Sequence, residues 1–223
     1  MLTDSNVSQL TAWLGQGSVE LTNIFTKNVG DDSAVFHAAV DGKGATISVM
    51  EWIETTTGAS GIVGGYNPRS WKSWNNFYGE FNYSWNTDDR TAFLFNLSTD
   101  SIFHQNPANP DTYWDSIDSG FYQTLNALSQ GPTFGLGHDL FVGGDLTHGF
   151  SYLYSYAATG GNNSTILGTN FGRVDTSDKN YAYVGKLEVF TISQKTVDVP
   201  EAPNIALFII ALFSLAVTRR IKL

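Results

Sequence analysis

The sequence predicts a mainly β protein: a two-sheet antiparallel β-sandwich with a few short helices, followed by a short C-terminal transmembrane helix. At least eight short runs alternate apolar and polar residues with the period of two that is typical of strands. Helical spacing occurs in only two stretches, both near the N-terminus. Many strands with so few helices favour two packed layers of antiparallel sheet.

Two short helices are predicted before the main run of strands. Asp4 or Ser5 caps the first helix, Gly15 ends it, and its apolar face consists of Val7, Leu10, Thr11 and Leu14. The second helix has Asp31 or Asp32 as its cap and Gly42 as its end. Its predicted inward side chains are Val35, Phe36, Ala39 and Val40.

The clearest strands follow the second helix. Residues 45–53 and 61–66 predict a hairpin, because a turn rich in Thr, Gly and Ser joins them. Residues 91–97 are typical of a central strand, and residues 182–192 are predicted to be the closing strand. Residues 105–129 contain Pro, Asp and Asn without a sustained period, so this stretch is predicted to be a long surface excursion.

Composition argues against several classes of protein. The chain has 223 residues and a formal net charge of −9. Three basic residues and one acidic residue lie after residue 199, so residues 1–199 carry a net charge of −11. Such a surface repels phosphate backbones, and we therefore expect no nucleic-acid partner. The absence of cysteine excludes disulfides, thiolate zinc sites and thiol catalysis.

No catalytic, metal or cofactor site is predicted. The four histidines lack the i, i+4 spacing of a zinc protease helix, and the Gly-x-Ser-x-Gly pattern of serine hydrolases is absent. Solvated loop acids are favoured over a metal site at His138, Asp139 and Asp145, and over calcium sites at paired aspartates. Glycoside hydrolysis would need two carboxylates at a fixed separation across a cleft, so an enzyme stays an open alternative.

Aromatic residues are dense between residues 71 and 85, where the chain carries Trp71, Trp74, Phe77, Tyr78, Phe81, Tyr83 and Trp85. Flat rings mixed with Asn and Ser are typical of surfaces that stack on sugar rings. Three of these residues also alternate at strand period, which favours rings that cover an antiparallel sheet. The sheet interpretation is preferred, and the sugar platform stays open as the alternative.

The C-terminal segment, residues 199–223, combines a small motif, an apolar run and a basic stop: Pro200, Glu201 and Ala202, then residues 205–217, then Arg219 and Arg220. A helix of about thirteen residues covers roughly 20 Å, against a hydrocarbon core of about 30 Å, so it is a marginal span. Basic residues after the run are expected to hold that end in the cytoplasm and to leave the larger N-terminal part outside.

This order resembles the PEP-CTERM sorting signal of bacterial envelope proteins, with Ala202 at a position where Pro is typical. The resemblance implies an exosortase-type sorting enzyme as a partner and membrane insertion through residues 204–218. The domain would then be held by a single-pass anchor or released to the surface after processing. An ordinary C-terminal anchor and a core helix are the alternatives. Residues 1–10 lack the pattern of an export leader, so we expect one upstream of Met1.

Five short segments and one tryptophan occur in a characteristic order: residues 36–46, 63–66, Trp71, 91–95, 131–135 and 185–189. The motif residues within them are Asp41, Gly44, Gly64, Gly65, Tyr66, Trp71, Phe134, Gly135 and Glu188. This order resembles the TLDc domain of the eukaryotic oxidation-resistance proteins. The resemblance implies a β-sandwich with a few helices and a structural role for the motif residues. Val40 stands where eukaryotic members often have Cys.

The expected organisation has four parts: a helical lead-in (1–18), a TLDc-like domain (19–193), a linker with the sorting motif (194–203) and a membrane helix with its basic stop (204–223). The expected function is that of a non-enzymatic module of the bacterial cell envelope or extracellular matrix, which binds exopolysaccharide or another envelope protein. The family resemblance implies a link to oxidative-stress protection. The alternative is a carbohydrate-active or carbohydrate-binding protein that uses residues 71–85.

Overall fold

Antiparallel strands dominate the structure, a computed structural model that describes residues 1–54, 58–75, 79–107, 119–136, 138–157, 166 and 182–195. The helices are α1 (Asp4–Leu14) and α2 (Ser33–Val40). The strands are β1 (Val19–Thr26), β2 (Thr46–Ile53), β3 (Ser60–Asn67), β4 (Glu80–Tyr83), β5 (Phe93–Asn96), β6 (Ser101–Gln105), β7 (Tyr122–Asn126), β8 (Thr133–Phe134), β9 (Leu140–Val142), β10 (His148–Phe150), β11 (Tyr156–Ala157) and β12 (Ala182–Gln194). Mainly β structure with few helices agrees with the predicted fold class.

The described strands form one hydrogen-bonded sheet in the order β11-β6-β5-β3-β2-β12-β10-β9-β8-β7-β4, and β1 pairs with β12 beside this path. Strand β12 lies at the centre. One of its edges pairs with β2, and the other pairs with β10 near Ala182 and with β1 from Glu188 to Gln194. The segment predicted as the closing strand is therefore late in the chain and central in the sheet.

The sheet folds back so that two of its parts face each other. Four strands separate β3 from β8 along the sheet, yet a Cβ atom added at Gly65 on β3 would lie 2.6 Å from the Phe134 ring on β8. The predicted pair of separate sheets is thus one continuous sheet. It still encloses a core between facing parts, because hydrogen bonds through β12, β10 and β9 carry the sheet around the fold.

Strand β2 is buried on both faces. Met50 and Trp52 belong to the larger apolar cluster between the facing parts of the sheet, whereas Ile47 and Val49 belong to a second cluster with Leu10 of α1. Alternating side chains point to opposite faces of a strand, so β2 contributes to both clusters. This explains why the sequence pattern of residues 45–53 did not identify a single buried face. The predicted hairpin of β2 and β3 is confirmed.

Helix α1 covers the outer face of β2. Thr3, rather than Asp4 or Ser5, is its N-cap, and the side chains of Thr3 and Asn6 cap each other's backbone N–H groups. Gly15 ends the helix in the left-handed conformation, as predicted, at φ 63°. Leu10 is fully buried against the second cluster.

Helix α2 begins at its predicted cap, because the Asp32 carboxylate accepts hydrogen bonds from the N–H groups of Ala34 and Val35. Phe36 and Val40 are buried as predicted, but Val35 is 45% exposed, so its inward assignment was wrong. His37 takes an inward position instead. Helix α2 has only 8 residues, so a predicted inward face that is shifted by one position assigns a surface side chain to the core.

Strands β1 and β7 are among those that the sequence did not predict. Strand β1 has only Val19 and Phe25 buried, so its sequence pattern is weak. Strand β7 lies inside the stretch predicted as a surface excursion, and that prediction was wrong for residues 122–126. Its buried residues are mostly polar, which hides the strand from a hydropathy pattern. Two of them have partners within the protein: Thr124 accepts a hydrogen bond from the Asn82 amide, and Asn126 accepts one from the N–H of Lys72.

The predictions for the C-terminal segment concern residues that lie largely beyond the described part of the chain. Strand β12 extends to Gln194, and residues 196–223, with the sorting motif and the apolar run, lie outside the described residues. Neither helix within the described residues has the length and hydropathy needed to cross a membrane.

Candidate functional site: an exposed aromatic face

Five aromatic side chains meet where β4 ends the path of the sheet. Two lie on β4, one follows it, one immediately precedes β7, and one is the first residue of β7, which pairs with β4. We call this set the aromatic face, and its members are Phe81, Tyr83, Trp85, Phe121 and Tyr122. Strand pairing places Tyr83 directly opposite Tyr122, which brings together two segments far apart in the sequence.

The rings of the aromatic face pack against one another. Phe81, Tyr83 and Trp85 form a row along the chain, with centroid separations of 6.1 Å and 5.8 Å. Phe121 stacks on Tyr83 at 4.6 Å and meets Trp85 edge to face at 4.1 Å, and Tyr122 meets Phe81 edge to face at 4.9 Å. Such offset and edge-to-face contacts stabilise aromatic clusters by about 0.5–1.5 kcal/mol per pair beyond area burial.

The aromatic face lies at the surface. The Trp85 residue is 76% exposed, and the other four members are partly buried. At about 25 cal/mol per Å² and about 150–250 Å² for an aromatic side chain, the exposed part of Trp85 leaves about 3–5 kcal/mol of burial free energy unused. Exposed apolar patches of this kind mark interaction sites on soluble domains.

Hydrogen bonds of buried polar groups fix the segments that carry the aromatic face. The Gln105 amide donates a hydrogen bond to the carbonyl of Gly120, 2.8 Å away, and its oxygen accepts one from the N–H of Ala92. The N–H of Ser84 donates to the carbonyl of Phe121 at 2.9 Å. These bonds connect the segments before Phe121 and Trp85 to the sheet, so the positions of both rings are set by the fold.

Charge around the aromatic face is mainly negative. Glu80, Asp88 and Asp89 are exposed in or next to β4. The Arg90 guanidinium donates hydrogen bonds to the carbonyls of Ser84 and Asn106. Partial burial, together with the nearby phenols of Tyr83 and Tyr154, raises the pKa of Tyr122, so its hydroxyl stays protonated and can donate a hydrogen bond at neutral pH.

The dense aromatic region of the sequence divides into two environments. Trp71 is fully buried, its indole N–H donates to Thr46 Oγ1 at 2.9 Å, and its ring contacts those of Phe36 and Phe134. Residues 81–85 instead form part of the exposed face. Phe77 and Tyr78 lie outside the described residues. Sequence reasoning missed Phe121 and Tyr122, since only the long-range pairing of β4 with β7 brings them to the site.

The glycine and aromatic motif residues lie in the core. At Gly64, the carbonyl of Ser48 and the ring of Phe95 occupy the space that a side chain would need, and at Gly65 the Phe134 ring does. Tyr66 packs on Phe93 at 5.2 Å, and its hydroxyl accepts a hydrogen bond from the Gln16 amide. The structure therefore places these motif residues where two layers approach closely.

The remaining motif residues hold turns and strand contacts. The Asp41 carboxylate lies 2.8 Å from His37 Nδ1, and the N–H of Gly44, which has φ +80°, donates to Ser70 Oγ. Gly135, at φ +75°, leaves no room for a side chain beside the carboxylate of Asp139. The Glu188 carboxylate on β12 lies 3.2 Å from the Met1 amino group.

Asp139 is a buried carboxylate in the connection between β8 and β9. One oxygen accepts short hydrogen bonds from the N–H groups of Tyr154 and Tyr156, at 2.6 Å and 2.7 Å, and the other has no hydrogen-bond partner. Burial raises the pKa of Asp139 to about 7, although the backbone hydrogen bonds act in the opposite direction. Asp139 therefore anchors the segment that leads into β11.

Asp145 is the third residue of the candidate metal set His138, Asp139 and Asp145. Asp145 lies apart in the turn before β10, where Thr147 and His148 bind its carboxylate. These hydrogen bonds lower the pKa of Asp145 to about 2, against the opposing effect of partial burial. Within the described part of the chain, no group of three or more His, Asp or Glu side chains could hold a metal ion.

In a comparison with protein-family models, residues 1–193 match the TLDc domain. The chain belongs to the TLDc domain family. No curated protein matches the chain. The match begins at residue 1, and the packing of α1 on the second apolar cluster makes this helix part of the folded TLDc domain.

The TLDc domain also has a cavity of about 450 Å³ between the segment after β1 and the turn before β10. Lys27 and Asp145 line it. The Lys27 ammonium donates hydrogen bonds to the carbonyls of Leu146 and Val184, and burial lowers the pKa of Lys27, with Asp145 opposing that effect. These hydrogen bonds connect the segment after β1 to β12, and they give the Lys27 ammonium a structural role. The cavity is therefore a weaker candidate for the functional site than the aromatic face.

Proposed function

We propose that this TLDc domain is a non-enzymatic binding module of the bacterial cell envelope or extracellular matrix, and that the aromatic face is its binding surface. One observation carries the proposal: five rings from strands β4 and β7 and the segments next to them form a packed cluster whose Trp85 is 76% exposed. The motif residues support this interpretation, because those on β3 and β8 serve close packing rather than an open site. The bound partner is an exopolysaccharide or another envelope protein, not a nucleic acid.

The C-terminal segment supports delivery to the envelope. Its motif, apolar run and basic stop resemble a PEP-CTERM signal that an exosortase processes, with Pro200, Glu201 and Ala202 before the run and Arg219 and Arg220 after it. In this proposal residues 204–218 enter the membrane, and the domain lies outside the cytoplasm, either anchored or released after processing. The link to oxidative-stress protection rests on the family alone.

Fractionation tests the delivery part of the proposal. The full-length gene is expressed in a bacterium that has an exosortase, and the domain is followed in cytoplasmic, membrane and surface fractions. We expect the double variant Arg219→Ala/Arg220→Ala to accumulate unprocessed or in the wrong fraction, because the positive charges set the topology. Lys186→Ala is the control, since Lys186 is an exposed cation on β12. Identical fractions for the double variant and the wild type would contradict delivery by this tail.

Retention on the cell surface tests the binding part. We expect Trp85→Ala to be washed from the extracellular matrix more easily than the wild type, because it removes the most exposed ring of the face. Tyr183→Ala is the matched control: Tyr183 is a 51% exposed aromatic residue on β12, and four strands separate it from β4. Equal loss from both variants would contradict a role for the aromatic face, and hydrolysis of matrix polysaccharide by the pure protein would favour an enzyme instead.

A further inference from the structure

We infer that the aromatic face binds an uncharged polysaccharide chain, and this inference rests on the proposed function of that face as the binding surface. The row of rings along β4, the limited area of the face and the acidic side chains around it each bear on the nature of the occupant. Together they separate a neutral glycan chain from a globular protein and from an acidic polymer.

Ring chemistry fits the C–H faces of sugar rings. A pyranose presents C–H groups on its flat faces and hydroxyls around its rim. The flat faces gain dispersion and burial against an aromatic ring, whereas the hydroxyls need polar partners. The aromatic face provides both, because Tyr83, Tyr122 and Trp85 combine an apolar ring with an O–H or N–H group. The protonated Tyr122 hydroxyl keeps its donor at neutral pH.

The row of rings suits an extended ligand. Phe81, Tyr83 and Trp85 succeed one another with centroid separations of 6.1 Å and 5.8 Å. Phe81 and Tyr83 are two apart on β4 and lie on the same side of that strand, and the Trp85 ring contacts Tyr83 just beyond the end of the strand. Successive rings can therefore meet successive units of a chain, while a single small molecule would use only part of the row.

The area of the face is small for a stable protein partner. With about 150–250 Å² per aromatic side chain, the exposed parts of the five rings come to no more than about 500 Å². A stable protein–protein interface takes about 800 Å² from each partner. A polysaccharide chain is narrow and needs no such flat area, so the exposed rings match a chain better than a second folded surface.

The negative charge of the protein favours an uncharged polysaccharide as the ligand. The whole protein carries −9, and the exposed residues Asp88 and Asp89 follow Trp85 by three and four positions. The guanidinium of Arg90 is directed to the carbonyls of Ser84 and Asn106. Carboxylated or sulfated polymers therefore meet like charges near the rings, and this repulsion is strongest at low salt.

Native affinity electrophoresis tests the inference on the full-length chain, held in a polyoxyethylene detergent so that no sugar detergent competes. The gels contain dissolved galactomannan, xyloglucan, dextran or laminarin, and alginate represents the acidic polymers. We expect at least one neutral polysaccharide to retard the wild type and alginate to have no effect. Trp85→Ala should weaken binding about tenfold or more, because one stacking contact is lost, while Tyr183→Ala should bind like the wild type.

Three results would overturn the inference. Equal retardation of Trp85→Ala and wild type would place glycan binding elsewhere. Binding to alginate alone, lost when salt is raised, would show that charge rather than ring stacking selects the ligand. No retardation by any neutral polysaccharide, combined with reduced matrix retention of Trp85→Ala on cells, would leave the aromatic face as the binding surface and assign it a protein partner. Only in that last case does the proposed function survive without the inference.

Discussion

Replacing Asp139 with Asn tests how a buried carboxylate contributes to stability. Asp139 is fully buried, and its side chain accepts N–H bonds from Tyr154 and Tyr156. Asn keeps the shape and one acceptor oxygen but never ionises. Comparison of the two proteins across pH therefore isolates the free energy of placing a negative charge at this position.

Whether stability rises or falls with pH follows from the direction of the pKa shift of Asp139. Burial raises the pKa of Asp139 to about 7 from 3.8, so the folded state binds a proton that the unfolded state has released between these values. Its stabilising contribution is full below pH 3.8 and is lost as pH rises to about 7. At about 1.4 kcal/mol per pKa unit, the free energy of unfolding of the wild type falls by about 4 kcal/mol relative to Asp139→Asn across this window.

Other groups titrate in the same experiment, which is why the difference between the two proteins is the quantity to measure. Burial lowers the pKa of His138 below 6.5, so its contribution is lost as pH falls, opposite in sign to that of Asp139. The low pKa of Asp145 acts only between about pH 4 and 2. Both groups are present in both proteins and cancel in the difference.

Urea unfolding at half-unit steps from pH 4 to pH 8 gives the two stability curves. The quantity to follow is the free energy of unfolding of Asp139→Asn minus that of the wild type. We expect this difference to be smallest near pH 4 and to increase steadily up to about pH 7. A constant difference would refute the raised pKa. A difference of opposite sign would show that the hydrogen bonds to the carboxylate outweigh the effect of its burial.

Three further substitutions test the packing and capping described above, each by urea unfolding. Gly65→Ala should lose about 1–3 kcal/mol, since its Cβ would lie 2.6 Å from the Phe134 ring, and a neutral effect would contradict the close approach of the layers. Trp71→Phe should lose about 2–4 kcal/mol, because it removes the bond to Thr46 and leaves a gap. Asp32→Ala should lose about 1 kcal/mol, because the α2 N-cap loses its hydrogen bonds to Ala34 and Val35, and unchanged stability would contradict the cap.

Local patterns predicted the elements whose sequence alone decides their structure. The hairpin of β2 and β3, the Asp32 cap and the Gly15 terminator were all recognisable, because turn and capping chemistry acts over a few residues. Strand β7 was missed, since the polar side chains of Thr124 and Asn126 are buried against hydrogen-bond partners that lie elsewhere in the sequence. A hydropathy pattern contains no information about such partners.

The candidate site also combines features that local sequence patterns predict with features that depend on long-range contacts. The sequence drew attention to residues 81–85 as either a sheet covering or a sugar platform, and the structure shows a packed aromatic cluster that is also exposed at Trp85. The contribution of Phe121 depends on pairing between β4 and β7, which no local pattern encodes. The raised pKa of Asp139 is likewise a consequence of tertiary burial rather than of its neighbours in the sequence.

The central position of β12 has a consequence for how the domain reaches its native state. Its partners include β1, with Val19 opposite Gln194, so contacts in the middle of the sheet join residues from opposite ends of the domain. Such long-range contacts slow folding, because a large loop must close before they form. A ribosome-bound chain that has not yet released residues 182–194 would lack the middle strand of the sheet, and β1 and β2 would each expose an unpaired edge. Completion of the fold is thus a late event, tied to emergence of the segment that immediately precedes the C-terminal tail.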